Sequence, residues 1–199
     1  MTDGLVGSLF DSGRRYGEWK AAMRENQEVI AEVEGEIELS PSAEEALRRL
    51  ARPLRALAIA EDWCRDSVDN LPIVAALAEA SGKLDLRVFT KAEHPELMAL
   101  FLKEGKYESL PVFAFFDEDW RELGRFIERP DSVTELRARL KRERGGPDMP
   151  MSQLPEAERA RVRGLIEDIR RETRAFATAE LQRELTAIFE RARVTALPS

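Results

Sequence analysis

The sequence predicts an α/β protein whose core follows the order βαβαββα, with helical extensions at both ends. Three observations carry this reading. Short apolar or alternating runs recur at residues 54–60, 84–89, 112–116 and 123–127, as strands require. Segments with apolar residues at helical spacing lie between the first three runs and after the last. The last two runs are joined through Asp117-Glu118-Asp119, most simply as a hairpin.

Residues 1–52 read as a helical N-terminal extension, with Phe10, Tyr16, Trp19, Met23 and Ile30 spaced for one face. Ser42-Ala43-Glu44-Glu45 has the form of a capping box and opens a short helix through Ala51. The core domain spans 53–143. Its first strand, 54–60, is followed by a helix over 66–80 that Ser81-Gly82 ends. Residues 84–89 alternate apolar and charged side chains, so they form a strand. His94-Pro95-Glu96 opens a helix to about Lys103, with His94 as a loop or cap residue and the proline tolerated in the first turn. Residues 112–116 are an unbroken apolar run, hence a buried strand. Ser132-Val133-Thr134-Glu135 caps a last core helix reaching about Arg142. A right-handed crossover makes the first two strands parallel, and the hairpin makes the last two antiparallel.

Arg144 to Pro150 is a linker by composition, and residues 151–193 form a helical C-terminal extension. Its amphipathic part, in two pieces, carries Leu165, Ile166, Ile169, Phe176, Leu181, Leu185, Ile188 and Phe189 on one stripe. Each such side chain gains about 1.5–3 kcal/mol on burial, so the stripe must be covered. Folding back on the core is the expectation, and a homodimer is the other way to cover it.

The chain has a single cysteine, and it falls where the first core strand hands over to the first core helix. Helix starts present unpaired N–H groups and a positive dipole end, which favour a thiolate. Trp63-Cys64-Arg65-Asp66-Ser67 resembles the Trp-Cys-x-x-Cys site of the thioredoxin family, with Ser67 in place of the second cysteine. Pro72 lies where that family kinks its active-site helix, and Ser109-Leu110-Pro111-Val112 resembles its cis-proline step. A finer resemblance, to a bacterial branch of the family, rests on Glu61-Asp62-Trp63-Cys64, Asn70-Leu71-Pro72 and Glu122-Leu123-Gly124-Arg125.

The resemblance implies a thioredoxin-like core over 53–143 and a site built from Cys64, with Trp63, Arg65, Asp66, Ser67, Leu110 and Pro111 shaping it or binding substrate. A dithiol site resolves its mixed disulfide with the second cysteine, which Ser67 cannot do. Monothiol exchange through Cys64 is therefore the leading expectation. No bound cofactor is expected; a low-molecular-weight thiol serves as co-substrate, and a protein disulfide or that thiol is the partner. Ala58 stands where many thioredoxins bury an aspartate, which argues against efficient dithiol chemistry. Arg65 favours the thiolate while Glu61, Asp62 and Asp66 oppose it. Arg125 and Arg129 read as solvated.

The alternative is a non-enzymatic module that holds a peptide in the groove beside Cys64 and Pro111, with the tail as a docking surface. Other cysteine chemistries fit less well. Peroxiredoxins need a threonine shortly before the cysteine, and one Cys with one His cannot make a structural zinc site. The tail is short for the second domain of a glutathione transferase.

The net charge of −7 gives no general case for nucleic acid or an anionic membrane. Residues 137–174 carry a local +4, read as a solvated helical face. No run approaches the roughly 18 apolar residues of a membrane span, and the start lacks a signal peptide's basic segment. The cytoplasm is the expected compartment.

Overall fold

Each of the four apolar or alternating runs becomes a strand of one mixed sheet. The structure, a computed structural model, describes residues 2–195. The strands are β1 (Leu54–Ile59), β2 (Leu84–Phe89), β3 (Val112–Phe116) and β4 (Glu122–Ile127), in the order β2-β1-β3-β4. β1 runs parallel to β2, while β3 is antiparallel to both β1 and β4. The crossover between β1 and β2 is α5 (Arg65–Ser81), which ends where Gly82 takes a left-handed conformation at φ 60°.

The pleat divides the core into two layers. Ala56, Ala58, Phe113 and Phe115 face α5 together with α4 (Pro41–Arg48) and α9 (Arg174–Thr195). Leu57, Ile59, Val112, Ala114 and Phe116 face the other way, onto Val6, Phe10, Leu97, Met98 and Phe101.

The N-terminal extension is helical, but in pieces. It comprises α1 (Thr2–Leu9), a 3-10 turn (Phe10–Ser12), α2 (Tyr16–Ala21), α3 (Gln27–Gly35) and α4. The expected single face is thereby corrected: Phe10 packs in one layer of the core, whereas Trp19, Met23 and Ile30 pack in the other. The break falls at Gly13, where a Cβ would stand 2.6 Å from the Phe89 ring and 2.8 Å from Arg87 Cβ. That close approach lets Arg14 exchange backbone hydrogen bonds with Val88 of β2, at 3.0 and 2.8 Å.

Three helix boundaries also differ from expectation. α4 starts at Pro41 with Ser40 at the cap position, because proline suits the first turn, so Ser42 lies inside the helix; it ends at Arg48, short of Ala51. α6 is a single turn, Pro95–Met98; tight turns carry the chain on to Phe101, and positive φ at Glu104 and Gly105 then reverses it. α7 (Asp131–Glu143) begins after Pro130, and the Ser132 hydroxyl donates to Glu180 at 2.6 Å instead of capping.

The tail forms two helices, α8 (Glu156–Glu172) and α9, and folds back on the core. Ile169, Leu181, Leu185, Ile188 and Phe189 are buried as the stripe requires, and Leu165 and Ile166 are partly buried. Phe176 is the exception at 42% exposed, since the stripe turns away from it between the two helices. Among the described residues no helix is long and apolar enough to cross a membrane.

Candidate active site

Cys64 is set by the end of β1. Ala60 N–H donates to the Phe89 carbonyl at 2.9 Å, fixing the chain to β2 before it leaves the sheet. Cys64 N–H then donates to the Glu61 carbonyl at 3.1 Å, and the Cys64 carbonyl accepts the Val68 N–H at 3.1 Å. Cys64 thus occupies the cap position of α5, with extended dihedrals of φ −85° and ψ 111°. The first-turn N–H groups of the helix are oriented toward this end. The thiol is half-buried, and its Sγ lies 3.6 Å from the carbonyl oxygen of Leu110, to which it donates. The Leu110–Pro111 peptide is cis.

Trp63, the residue before the thiol, is 51% exposed. Ser67 is fully buried in the third helical position, where its Oγ accepts the Glu61 N–H at 3.4 Å. It does not cap the helix; Cys64 holds that position. The two acids before Trp63 are both held by backbone N–H groups, Glu61 from the loop after β2 and Asp62 from the N-terminal extension. Glu61 accepts the Ala92 N–H at 3.2 Å, and Asp62 accepts the N–H groups of Arg24 and Glu25 at 2.7 and 3.2 Å. They line an open cleft of about 370 Å³ that neither Cys64 nor Pro111 reaches.

Arg65 and Asp66 belong to a cluster that the linear sequence did not disclose. Asp66, 5% exposed, takes Arg129 at 2.5 Å on one oxygen, with Arg170 at 3.0 Å and Arg137 at 3.6 Å on the other. Asp69, one turn along α5, takes Arg170 at 2.7 Å and Arg137 at 3.8 Å. Arg65 is held by Glu167 at 2.5 Å. Glu128 pairs with Arg129 and with Lys103, and its carbonyl accepts from Asn70 of α5. Arg129 is therefore not solvated, because the loop after β4 turns it onto the buried carboxylate. Arg125 does stay at the surface, paired with Glu122.

Lys103, Arg65, Arg129, Arg137 and Arg170 are set against Asp66, Asp69, Glu128 and Glu167, so this cluster by itself carries one surplus positive charge. Burial works against the Arg170 charge, but Asp66 and Asp69 outweigh it and hold the guanidinium above its ordinary value. Burial, and then the Arg170 charge, push Arg137 down to about 10, which still leaves it charged at neutral pH. The residues missed by sequence reasoning are Asp69, Arg137, Glu167 and Arg170. The one signal pointing to them was the basic excess over 137–174, which reads equally well as a solvated face.

A cysteine at the start of the β1–α5 crossover, facing the residue before a cis-proline on a mixed four-stranded sheet, defines a thioredoxin-like protein. The sequence matches the Thioredoxin family over residues 13–141, and the chain belongs to that family. No curated protein matches it. Among solved structures it is similar to a protein of unknown function from Pseudomonas aeruginosa, at 23% identity and a TM-score of 0.61, over 92% of this chain and 95% of the other. It is also similar to an HIV epitope-scaffold, at 19% identity and a TM-score of 0.62, over 92% and 96%. At these identities the likeness concerns the fold. The matches run well beyond 53–143, so the helical extensions are part of the shared architecture.

Proposed function

We propose that the protein carries out monothiol thiol–disulfide exchange through Cys64, with an external thiol as resolving partner. The observation that supports this most is the placement of the thiol at the cap of α5, half-buried and 3.6 Å from the Leu110 carbonyl. A helix start stabilises the thiolate, which is the nucleophile in exchange. In this reading the Cys64 thiolate attacks one sulfur of a disulfide. The S–S bond breaks, one half leaves as a thiolate, and the other half stays on Cys64 as a mixed disulfide. Ser67 offers no second thiol. A low-molecular-weight thiolate therefore attacks the mixed disulfide, leaves with the bound half as a new disulfide, and returns Cys64 as a thiolate. Trp63, Leu110 and Pro111 supply the surface on which the substrate lies, and Arg65, Asp66 and Ser67 shape the helix start. A reducing compartment such as the cytoplasm supplies the external thiol. Within the family, Glu61-Asp62-Trp63-Cys64 with Asn70-Leu71-Pro72 and Glu122 to Arg125 favours the bacterial branch that shares them.

The test uses glutathione disulfide as probe and mass spectrometry as readout. The protein should gain one adduct on Cys64, lose it to added free thiol, and gain none as Cys64→Ser. Ser67→Cys should instead close an internal disulfide, because residues 64 and 67 lie one turn apart. A protein that gains no adduct at any pH from about 6 to 9 does not exchange. The half-exposed Trp63 would then favour the second reading, a peptide-binding module using the groove beside Cys64 and Pro111.

A further inference from the structure

We propose that α8 tunes the ionisation of Cys64, with Arg170 compensating Asp66 and Glu167 compensating Arg65, so that the C-terminal tail is a working part of the thiol site. The purpose of such tuning rests on the exchange reading above, but its test does not.

Arg65 and Asp66 follow Cys64 directly and occupy the first turn of α5. A buried carboxylate is poorly screened by salt, and Asp66 at 5% exposure opposes a thiolate strongly unless it is neutralised in place. Arg129 and Arg137 come from the core side, and Arg170 comes from α8, more than a hundred residues away in sequence. Arg65 acts in the opposite sense: it favours the thiolate, and Glu167 of α8 draws off part of that effect from 2.5 Å. Glu167 and Arg170 stand one turn apart on the same helix and act on Cys64 with opposite signs. The other charges around the thiol are held from elsewhere. Glu61 is bound by Ala92, Asp62 by the backbone of Arg24 and Glu25, and Glu128 by Lys103 and Arg129. Asp69 shares Arg170 and Arg137 and also lies 3.9 Å from Arg65, so Glu167 offsets Arg65 together with a core carboxylate. Removing Arg170 therefore uncovers Asp66 and part of Asp69, both acidic, whereas removing Glu167 frees Arg65, so the two changes act with opposite signs.

The experiment is the pH profile of Cys64 alkylation by iodoacetamide in the full-length protein, with thiolate absorbance as a second readout. Iodoacetamide is neutral, so its approach is not steered by charge, and it needs no resolving thiol. Arg170→Gln should move the profile up by about half a pH unit, slowing alkylation at neutral pH about threefold, and Arg170→Lys should recover part of the loss. Glu167→Gln should move it down by a similar amount and speed alkylation about threefold. Arg171→Gln, on the same helix but 63% exposed and paired with Asp168, should leave the profile unchanged. A general loosening of the helix would move both α8 variants the same way. Shifts of the same sign, or no shift in either, overturn the proposal. Should Arg170→Gln fail to fold, the sign found for Glu167→Gln decides. Absence of exchange in the glutathione assay alongside opposite shifts here would remove the proposed function and leave the tuning standing.

Discussion

The two helices of the tail dock by different physics. α9 buries Leu181, Leu185, Ile188, Phe189 and Ala192 on the sheet layer that also holds α5. Phe189 meets Phe115 edge-on at 5.2 Å, and Ile188 seats against Gly124, where a Cβ would stand 2.9 Å from its Cγ2. α8 fully buries only Val162 and Ile169, and holds the start of α5 through Glu167 and Arg170. Apolar burial is non-directional and stabilises in proportion to area. Buried ion pairs add little net stability against a well-packed alternative, because desolvation offsets their attraction. What they do fix is register, and Arg65 Nε and Arg129 Nε remain buried without a partner as part of that cost. α9 accordingly anchors the tail, and α8 aligns it.

The contrast is broken most severely by Phe189→Ala, which should cost about 3–5 kcal/mol in chemical denaturation. It removes a fully buried ring from the layer that joins the tail to β3 and β4. Next comes Asp66→Ala, expected to cost about 3 kcal/mol by leaving Arg129, Arg137 and Arg170 without their shared carboxylate. Hydrogen exchange should show α8 amides opening in this variant while those of α9 stay protected. Gly124→Ala tests the close seat of Ile188 and should cost about 1 kcal/mol, less if the isoleucine shifts; thermal unfolding reads it.

The smallest effect is a pH dependence at Glu180 of α9. Arg183 and then Ser132 hold its carboxyl below the usual value of 4.5. Unfolded chains therefore take up this proton first as pH falls. The contribution is complete above pH 4.5 and is lost as acidification passes through the lower folded value. Glu180→Gln should flatten that part of the stability profile, measured by denaturation at several pH values. An unchanged profile would show that the contact is too exposed to matter.

What the sequence made legible follows from period and position. A strand run such as 112–116 is apolar throughout because both faces are covered, and no surface segment has reason to look like that. Cys64 was legible because the strand before it and the helix after it were both strong. The same logic failed for the N-terminal aromatics, since spacing describes one continuous helix and Gly13 ends it. Phe176 misled for a related reason: a stripe read across two helices loses phase at their junction near Thr173. The cluster around Asp66 was illegible in principle. Arg129, Arg137 and Arg170 look like any solvated basic residues, and their meeting on one carboxylate depends on how three separate elements pack.

The Arg14–Val88 bridge has a consequence for how the molecule behaves in a crowd. β2 is a terminal strand of the sheet, and terminal strands expose unpaired N–H and C=O groups that recruit other strands. Here both backbone groups of Val88 on the outer side are already taken by Arg14. Arg15 reaches Asp85 at 2.9 Å and Arg14 reaches Glu93 at 2.6 Å, so charged side chains lie along the same margin. A strand from a neighbouring chain would have to displace these contacts to enter, and would meet solvated charge in place of a free ladder. The N-terminal extension thus works as a stopper against runaway sheet growth at this border.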